Sequence, residues 1–545
     1  MGIRQMPDDA TLVPMRSGTS VKVGRVVSVS GAQIIALIRD PRSDSDRPAE
    51  QVVQVGSLVK ICTNDTVVFG MVSGFSIPIP TQEAGDAELK IAEVDLVGEG
   101  SLDGGDFQRG VSQFPALGAD VFSATQEDLG HVYARPAVAT VRVGTIHQDK
   151  TIPAFVVLDD LLGKHFAILG TTGSGKSCAV ALILHALLDK HDNAHIVLLD
   201  PHGEYASAFG SAAEVLDSVN LQLPYWLFNF EELAEIIFGS ARAEWESEAA
   251  ILRETITQAK LRLIPDPEDA NFVTVDTPVP YKISEVTRAI DEAMGKLERR
   301  TDVQPYMRLK SRLMVLQSDR RFTFMFPQGV VLRDNMVAVL SRIFRLPANG
   351  KPISIIDLSG IPSEVINVVV SVIARMTLDL ALWSERQMPI LLVCEEAHRY
   401  APQNSDLGFE PAKRALSRIA KEGRKYGLSL CVITQRPSEL EAGLLSQCNT
   451  IFALRMTSQK DQEFVNAAIS DATPGLMGSL PSLRNAEAIV VGEGVTVPMR
   501  LHFDELPEDR RPRSGNAAFS SLWQSDDSDT DLLANVVERW RRQRR

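Results

Sequence analysis

Residues Gly170, Thr171, Thr172, Gly173, Ser174, Gly175, Lys176 and Ser177 spell G-x-x-x-x-G-K-[ST]. They sit between an apolar run, "HFAIL", and a stretch with helical spacing, "KSCAVALILHALLDK". That pattern holds phosphates. The glycines let successive backbone N–H groups turn inward, and the N-terminus of the helix opened by Lys176, Ser177 and Cys178 adds positive potential. Lys176 is placed to reach the β- and γ-phosphates and Ser177 to ligate Mg²⁺. Kinases, transporters, GTPases and DNA motors all use such a loop, so it names a ligand and leaves the reaction open.

A hydrolase also needs acid groups at a neighbouring strand end. "PILLVCEEAHRY" supplies Glu395 and Glu396 directly after an apolar strand. The first carboxylate is expected to hold Mg²⁺ and the second to polarise the attacking water. Asp is commoner at the first position, so Glu395 is a departure there. "VITQRP" puts Gln435 at the tip of another strand, either as a sensor of the γ-phosphate or as an ordinary surface glutamine.

"AKRALSRIAKEGRKYG" is the most basic stretch outside the C-terminal tail. Arg414, Arg418, Lys421 and Lys425 step by helical spacing along one face, with Lys413 beside them. The face can contact DNA phosphates or simply be solvated. Arg424, after Gly423, can serve as an arginine finger offered to a neighbouring subunit.

The elements that must position these groups change character along the chain. Residues 18–145 hold short β-type runs ("VKVGRVVSV", "QIIALI", "VGSLVKIC", "TVVFGMVS", "ELKIAEVDLV") broken by turn residues, the pattern of a small barrel or sandwich. No catalytic cluster falls there, so residues 1–150 read as an assembly or docking module. From 151, apolar strands alternate with helices: "HFAILG", "HIVLLD", then "ISIIDL", "PILLVC", "LCVITQ" and "TIFAL". This predicts an α/β core with a parallel sheet, split into 151–224 and 341–510.

Residues 225–340 read as an inserted helical bundle. Asn229 and Glu232 have capping-box spacing. Trp245, Ala249, Leu252, Ile256, Ala259 and Leu263 form one helical stripe, and Val286, Ile290, Ala293 and Leu297 another. Residues 264–280 read as a loop within it. Residues 511–545 are a polar tail closing on a short basic helix, "LLANVVERWRRQRR".

The chain has 545 residues and a formal net charge of -14, which argues against a general basic coat for nucleic acid but not against a local basic channel. Cys62, Cys178, Cys394, Cys431 and Cys448 lack metal-ligand spacing and read as small buried apolar residues of a reducing compartment, not disulfides or zinc ligands. "MGIRQMPDDATLVPM" lacks a long apolar segment. "INVVVSVIARMTLDLALW" carries Arg375 and Asp379 mid-span and reads as a buried core helix, so no membrane and a cytoplasmic location are expected.

"HFAILGTTGSGKS", "IVLLDPHGEY", "IIDLSGIP", "LLVCEEAHRY", "KEGRKYGLSLCVITQRPSEL" and "LPSLRNAEAIVVG" occur in that order. Together they resemble the HerA family of hexameric ATPases, relatives of the FtsK DNA pumps, over about residues 20–505. The resemblance implies six RecA-like P-loop ATPase domains around a channel, an N-terminal β-barrel, an inserted helical bundle, ATP with Mg²⁺ at subunit boundaries, and movement of double-stranded DNA. It implies an effector partner at the barrel, a nuclease or a sirtuin-like NAD-consuming enzyme, and a setting such as anti-phage defence. Gly170, Gly175, Lys176 and Ser177 then hold nucleotide, Glu395 and Glu396 are the acidic pair, Gln435 the sensor and Arg424 the family's G-R-K-x-G arginine. Asp200 and Glu204 match its DPHGEY segment, where a site-organising role is expected. Two other readings compete: a nucleotide-dependent hexameric scaffold that activates an effector without translocating, and a small-molecule phosphotransferase.

Overall fold

The computed structural model describes residues 20–38, 53–63, 65–77, 89–101, 106–239, 245–264, 266–296, 302–326, 334–361, 363–404, 408–469, 474–513, 519–524 and 530–542. The N-terminal segment read above as lacking a long apolar stretch lies outside these residues, as do Leu297 and the last three residues of the basic tip.

The first strands are β1 (Lys22–Ser30), β2 (Gln33–Ile38), β3 (Leu58–Cys62), β4 (Thr66–Ser76), β5 (Lys90–Ser101), β6 (Gln108–Arg109) and β7 (Asp120–Ser123). They pair in the order β2-β1-β7-β3-β4-β5-β6, and β2 also pairs with β5. Six antiparallel strands therefore close into a barrel, with β6 an appendage on β5. Alternation along each strand sends Val26, Ile34, Ile61, Val72, Val94 and Val121 inward. Closure leaves no long open edge to pair with another chain.

The second sheet contains β8 (Thr140–Ile146), β9 (Pro153–Val157), β10 (Phe166–Leu169), β11 (Ile196–Asp200), β12 (Ala213–Leu216), β13 (Ile353–Asp357), β14 (Ile390–Cys394), β15 (Leu428–Thr434), β16 (Thr450–Leu454), β17 (Glu487–Gly492) and β18 (Met499–Phe503). Their order is β12-β13-β11-β14-β15-β10-β16-β17-β18-β8-β9. The run from β12 to β16 is parallel and almost wholly apolar, as a sheet covered on both faces requires. From β16 onward the pairings are antiparallel, so the sheet is mixed. The expected break at residue 150 falls inside the β8–β9 hairpin, and both of its strands belong to this second sheet. β8 alternates like a barrel strand, so periodicity alone does not reveal which sheet it joins.

Between β12 and β13 lie the inserted helices, among them Phe230–Phe238, Glu246–Leu261, Ile283–Gly295, Gln304–Ser318 and Met336–Phe344. Leu252, Ile256 and Ala259 face inward with Val286 and Ile290, while Leu263, past the end of its helix, is exposed. A short helix, Pro267–Ala270, interrupts the expected loop.

Glu232 ties this insertion to the core. Its Oε2 accepts from the backbone N–H of Asn229 at 3.0 Å, completing the capping box, while Asn229 Oδ1 accepts from Glu232 N at 2.8 Å. Its Oε1 accepts from Arg375 Nε at 3.0 Å and from Ser371 Oγ at 3.1 Å. Arg375 also donates to Asp379 Oδ2 and to the Leu227 carbonyl. Arg375 lies on the helix Ser363–Trp383, of which Val365–Trp383 is long and apolar enough to cross a membrane by length and composition. Here it packs against β14, β15 and the helix Glu410–Glu422. A charge in its middle is tolerated because the chain supplies buried partners for it.

Candidate nucleotide site

The phosphate loop follows β10, whose neighbours in the sheet are β15 and β16. Gly173 (φ 76°) and Gly175 (φ 104°) adopt left-handed conformations that a side chain would resist, and the helix Lys176–Leu188 starts directly after them. The loop is fixed from within and below. Ser174 Oγ donates to the Thr171 carbonyl at 2.7 Å, and Thr171 N donates to the Arg455 carbonyl at 3.0 Å. Lys176 is buried, with its Nζ 3.1 Å from the Thr171 carbonyl. Burial lowers its ammonium pKa, and the charges of Glu396, Glu395 and Glu204 oppose that shift.

β14 delivers the acidic pair. Glu395 is buried at the strand end and accepts a hydrogen bond from Tyr205 Oη at 2.5 Å. Burial pushes its carboxyl up to about 7; the Tyr205 hydrogen bond opposes this, and the charges of Glu396 and Asp200 reinforce it. Glu396 turns out of the strand in a left-handed conformation, φ 52°, unusual for a non-glycine residue and common where a side chain is aimed for chemistry. His202 Nε2 stands 3.9 Å from its Oε1 and His398 Nδ1 3.3 Å from its Oε2. Burial alone would raise Glu396, but His202, His398 and Lys176 together hold it below the usual carboxylate range. Its buried Oε2 receives no hydrogen bond from the described residues. An ionised carboxylate with an open acceptor is what polarising a water demands.

β15 lies between the loop strand β10 and the acidic strand β14. From its tip Gln435 reaches the loop through a hydrogen bond between Thr172 Oγ1 and its Oε1. Thr434 Oγ1, one residue earlier, is 2.9 Å from His398 Nδ1. Loop, Gln435, Thr434, His398 and Glu396 thus form one connected polar path.

The segment after β11 closes the opposite wall. Asp200 accepts from the backbone N–H groups of His202, Gly203 and Tyr205 at 3.2, 2.8 and 3.0 Å. This clamps the turn that presents Glu204, whose Oε2 accepts from Ser177 Oγ at 2.8 Å. The oxygens of Ser177 and Glu204 fit a small hard cation such as Mg²⁺, which takes its remaining coordination from phosphate and water, with Glu395 behind them. When bound, such an ion would neutralise phosphate charge. Tyr205, His202 and His398 were not singled out from sequence, although all three lie in the quoted "DPHGEY" and "EEAHRY" segments beside strand tips.

Arg424 sits apart. It is exposed in the turn Gly423–Tyr426 that enters β15, at the end of that strand opposite Gln435. Its own phosphate loop is therefore out of its reach. On the helix Glu410–Glu422, Arg414 pairs with Glu231 and Glu410 at 3.0 and 3.2 Å, and Arg418 approaches Glu422 at 3.7 Å. Lys421 and Lys425 are exposed, while Lys413 is half-buried. All five cysteines are free, and Cys394, Cys431 and Cys448 are buried as expected, but Cys62 and Cys178 are exposed, because Cys62 ends its strand on the outer face and Cys178 lies on the open side of its helix.

A strand, glycine-rich loop and helix facing an ionised glutamate across a parallel α/β sheet make this chain a P-loop ATPase with a RecA-like core. Within that class, residues 141–377 match the family model described as Helicase HerA, central domain. The chain is 25% identical over 464 residues to the DNA double-strand break repair helicase HerA of Pyrococcus furiosus, covering 78% of each protein. It is 26% identical over 427 residues to a probable helicase of Methanocaldococcus jannaschii, covering 77% of this chain and 76% of that one. Among solved structures it is similar to VirB4 of Thermoanaerobacter pseudethanolicus, with a TM-score of 0.49 and 16% identity over 68% of this chain and 98% of that chain.

Proposed function

We propose that this ATPase is a ring-forming motor that moves double-stranded DNA through a central channel, with a partner effector seated on the N-terminal barrel. The observation that carries the reading is the Glu396 site, in which an ionised, buried carboxylate faces a phosphate loop joined to it through Gln435 and His398. Its likeness to relatives named as DNA double-strand break repair helicases supports DNA as the substrate. In this reading Gly170 to Cys178 cradle ATP, Lys176 holds the terminal phosphates, Ser177 meets Mg²⁺, Glu396 polarises water and Gln435 senses the γ-phosphate. Arg424, remote from its own loop, completes the site of an adjacent copy in a hexamer. Lys413, Lys421 and Lys425 are candidates for DNA-phosphate contact. Residues 20–123 form the docking unit, and the inserted helices pack onto the ATPase core. Association with a nuclease or a sirtuin-like NAD-consuming enzyme, in anti-phage defence, is the setting the reading suggests.

The test is ATP turnover with and without linear double-stranded DNA, with Lys176→Ala as the background. Stimulation several-fold above the DNA-free rate is expected. A confirmed hexamer whose turnover ignores DNA would overturn translocation.

A second reading is a nucleotide-gated scaffold that assembles an effector without moving DNA. It is favoured by the pairing of Arg414 and Arg418 with acidic side chains, which leaves the basic helix partly neutralised. Effector activity that survives Glu396→Gln in an intact complex would favour it.

A further inference from the structure

We infer that Glu204, from the turn after β11, is the carboxylate that works with Ser177 in holding the metal–nucleotide complex, and that Glu395 is a positioning residue behind them. The inference rests on the phosphate-loop reading above. A serine hydroxyl has one hydrogen and two lone pairs. In this structure the hydrogen goes to Glu204 Oε2 at 2.8 Å, which leaves the lone pairs of Ser177 free for a cation. The same carboxylate then lies where it can accept from water on that cation.

Glu395 is differently placed. One of its oxygens is taken by Tyr205 Oη at 2.5 Å, in a contact where Glu395 is 4% exposed and Tyr205 fully buried. Glu204 is half-buried at the mouth, where an ion carrying water and phosphate has room.

The turn that presents Glu204 is held on three sides. Asp200 takes three backbone N–H groups from it. Gly203 adopts φ 69°, and a Cβ there would stand 3.1 Å from Ser359 Oγ. The backbone N–H of Arg513, beyond the last strand, donates to the Glu204 carbonyl at 3.0 Å. A carboxylate anchored this way is pre-organised; one that merely decorates a loop would not need it.

The experiment uses the full chain and Mn²⁺ as the probe. Electron paramagnetic resonance titrations of Mn²⁺ with ADP are compared for the wild type, Glu204→Gln, Glu204→Asp and Glu395→Gln, beside fluorescent ADP binding in EDTA. Glu204→Gln is expected to weaken Mn²⁺ in the nucleotide complex by about tenfold or more. Metal-free nucleotide affinity should stay within about twofold, Glu204→Asp should recover part of the loss, and Glu395→Gln should change Mn²⁺ affinity little. Unchanged Mn²⁺ affinity in Glu204→Gln, or a larger loss in Glu395→Gln, overturns the assignment. Wild-type protein that binds no ADP in EDTA would instead overturn the phosphate-loop reading itself.

Discussion

The phenolic hydroxyl of Tyr205 donates to Glu395 across 190 residues of chain, joining the turn after β11 to the tip of β14 at 2.5 Å. Both groups are buried, so the bond is made where water cannot replace it. It opposes the burial that drives the Glu395 carboxyl upward. Tyr205→Phe should therefore raise the Glu395 pKa further and cost about 1–3 kcal/mol of stability, the range for leaving a buried acceptor unpaired. A urea unfolding midpoint unchanged from the wild type would show that the bond contributes nothing.

The raised Glu395 pKa sets a pH dependence with a definite sign. The native state holds this proton up to about pH 7, whereas the unfolded carboxyl releases it near its ordinary value of 4.5. Between those values the native state binds more protons, so this group lowers stability as pH rises and its effect levels off above pH 7. The full effect is about 3 kcal/mol. Glu395→Gln should remove that decline, which denaturation at pH 5 and pH 8 would measure. An equal decline in the variant would assign the pH effect to another group.

Glu396→Gln keeps the shape of the side chain and removes the charge that His202, His398 and Lys176 stabilise. Turnover should fall by roughly 10²–10⁴-fold, the usual contribution of a positioned general base. ATP affinity should stay within a few-fold, since the loop that binds phosphate is untouched. Equilibrium binding beside steady-state turnover separates the two, and comparable losses in both would mean Glu396 is needed to build the site.

Arg375→Ala leaves Glu232 charged, buried and without its main partner. Such a break costs about 3–5 kcal/mol, seen as a lowered melting temperature. Replacing the pair together, as Arg375→Leu with Glu232→Gln, should recover much of the loss. A double variant no better than the single one would mean that Arg375 acts through its contacts to Asp379 and the Leu227 carbonyl.

The phosphate loop could be read from sequence because its signal is local: an apolar strand, glycines at fixed offsets and a helix. The capping box of Asn229 and Glu232 and the burial of the membrane-like helix were legible for the same reason. The antiparallel half of the main sheet was not. β18 pairs with β8, far away in the chain, as Leu501 with Ile146, and nothing local encodes that. At the site, Glu396 and Gln435 stood out at strand ends, but their link through Thr434 and His398 depends on β15 lying between β10 and β14. The same holds for Glu204, whose proximity to Ser177 follows from a strand order that spacing does not state.

That order has a spatial consequence. β15 is a buried strand of seven residues, about 20 Å long, paired on both sides by β10 and β14. One end touches the loop through Gln435, and the other emerges at Arg424 on the far rim of the sheet. Gln435 and Arg424 therefore stand at opposite ends of one hydrogen-bonded strand, the shortest covalent route from the phosphate loop to the far rim of the sheet.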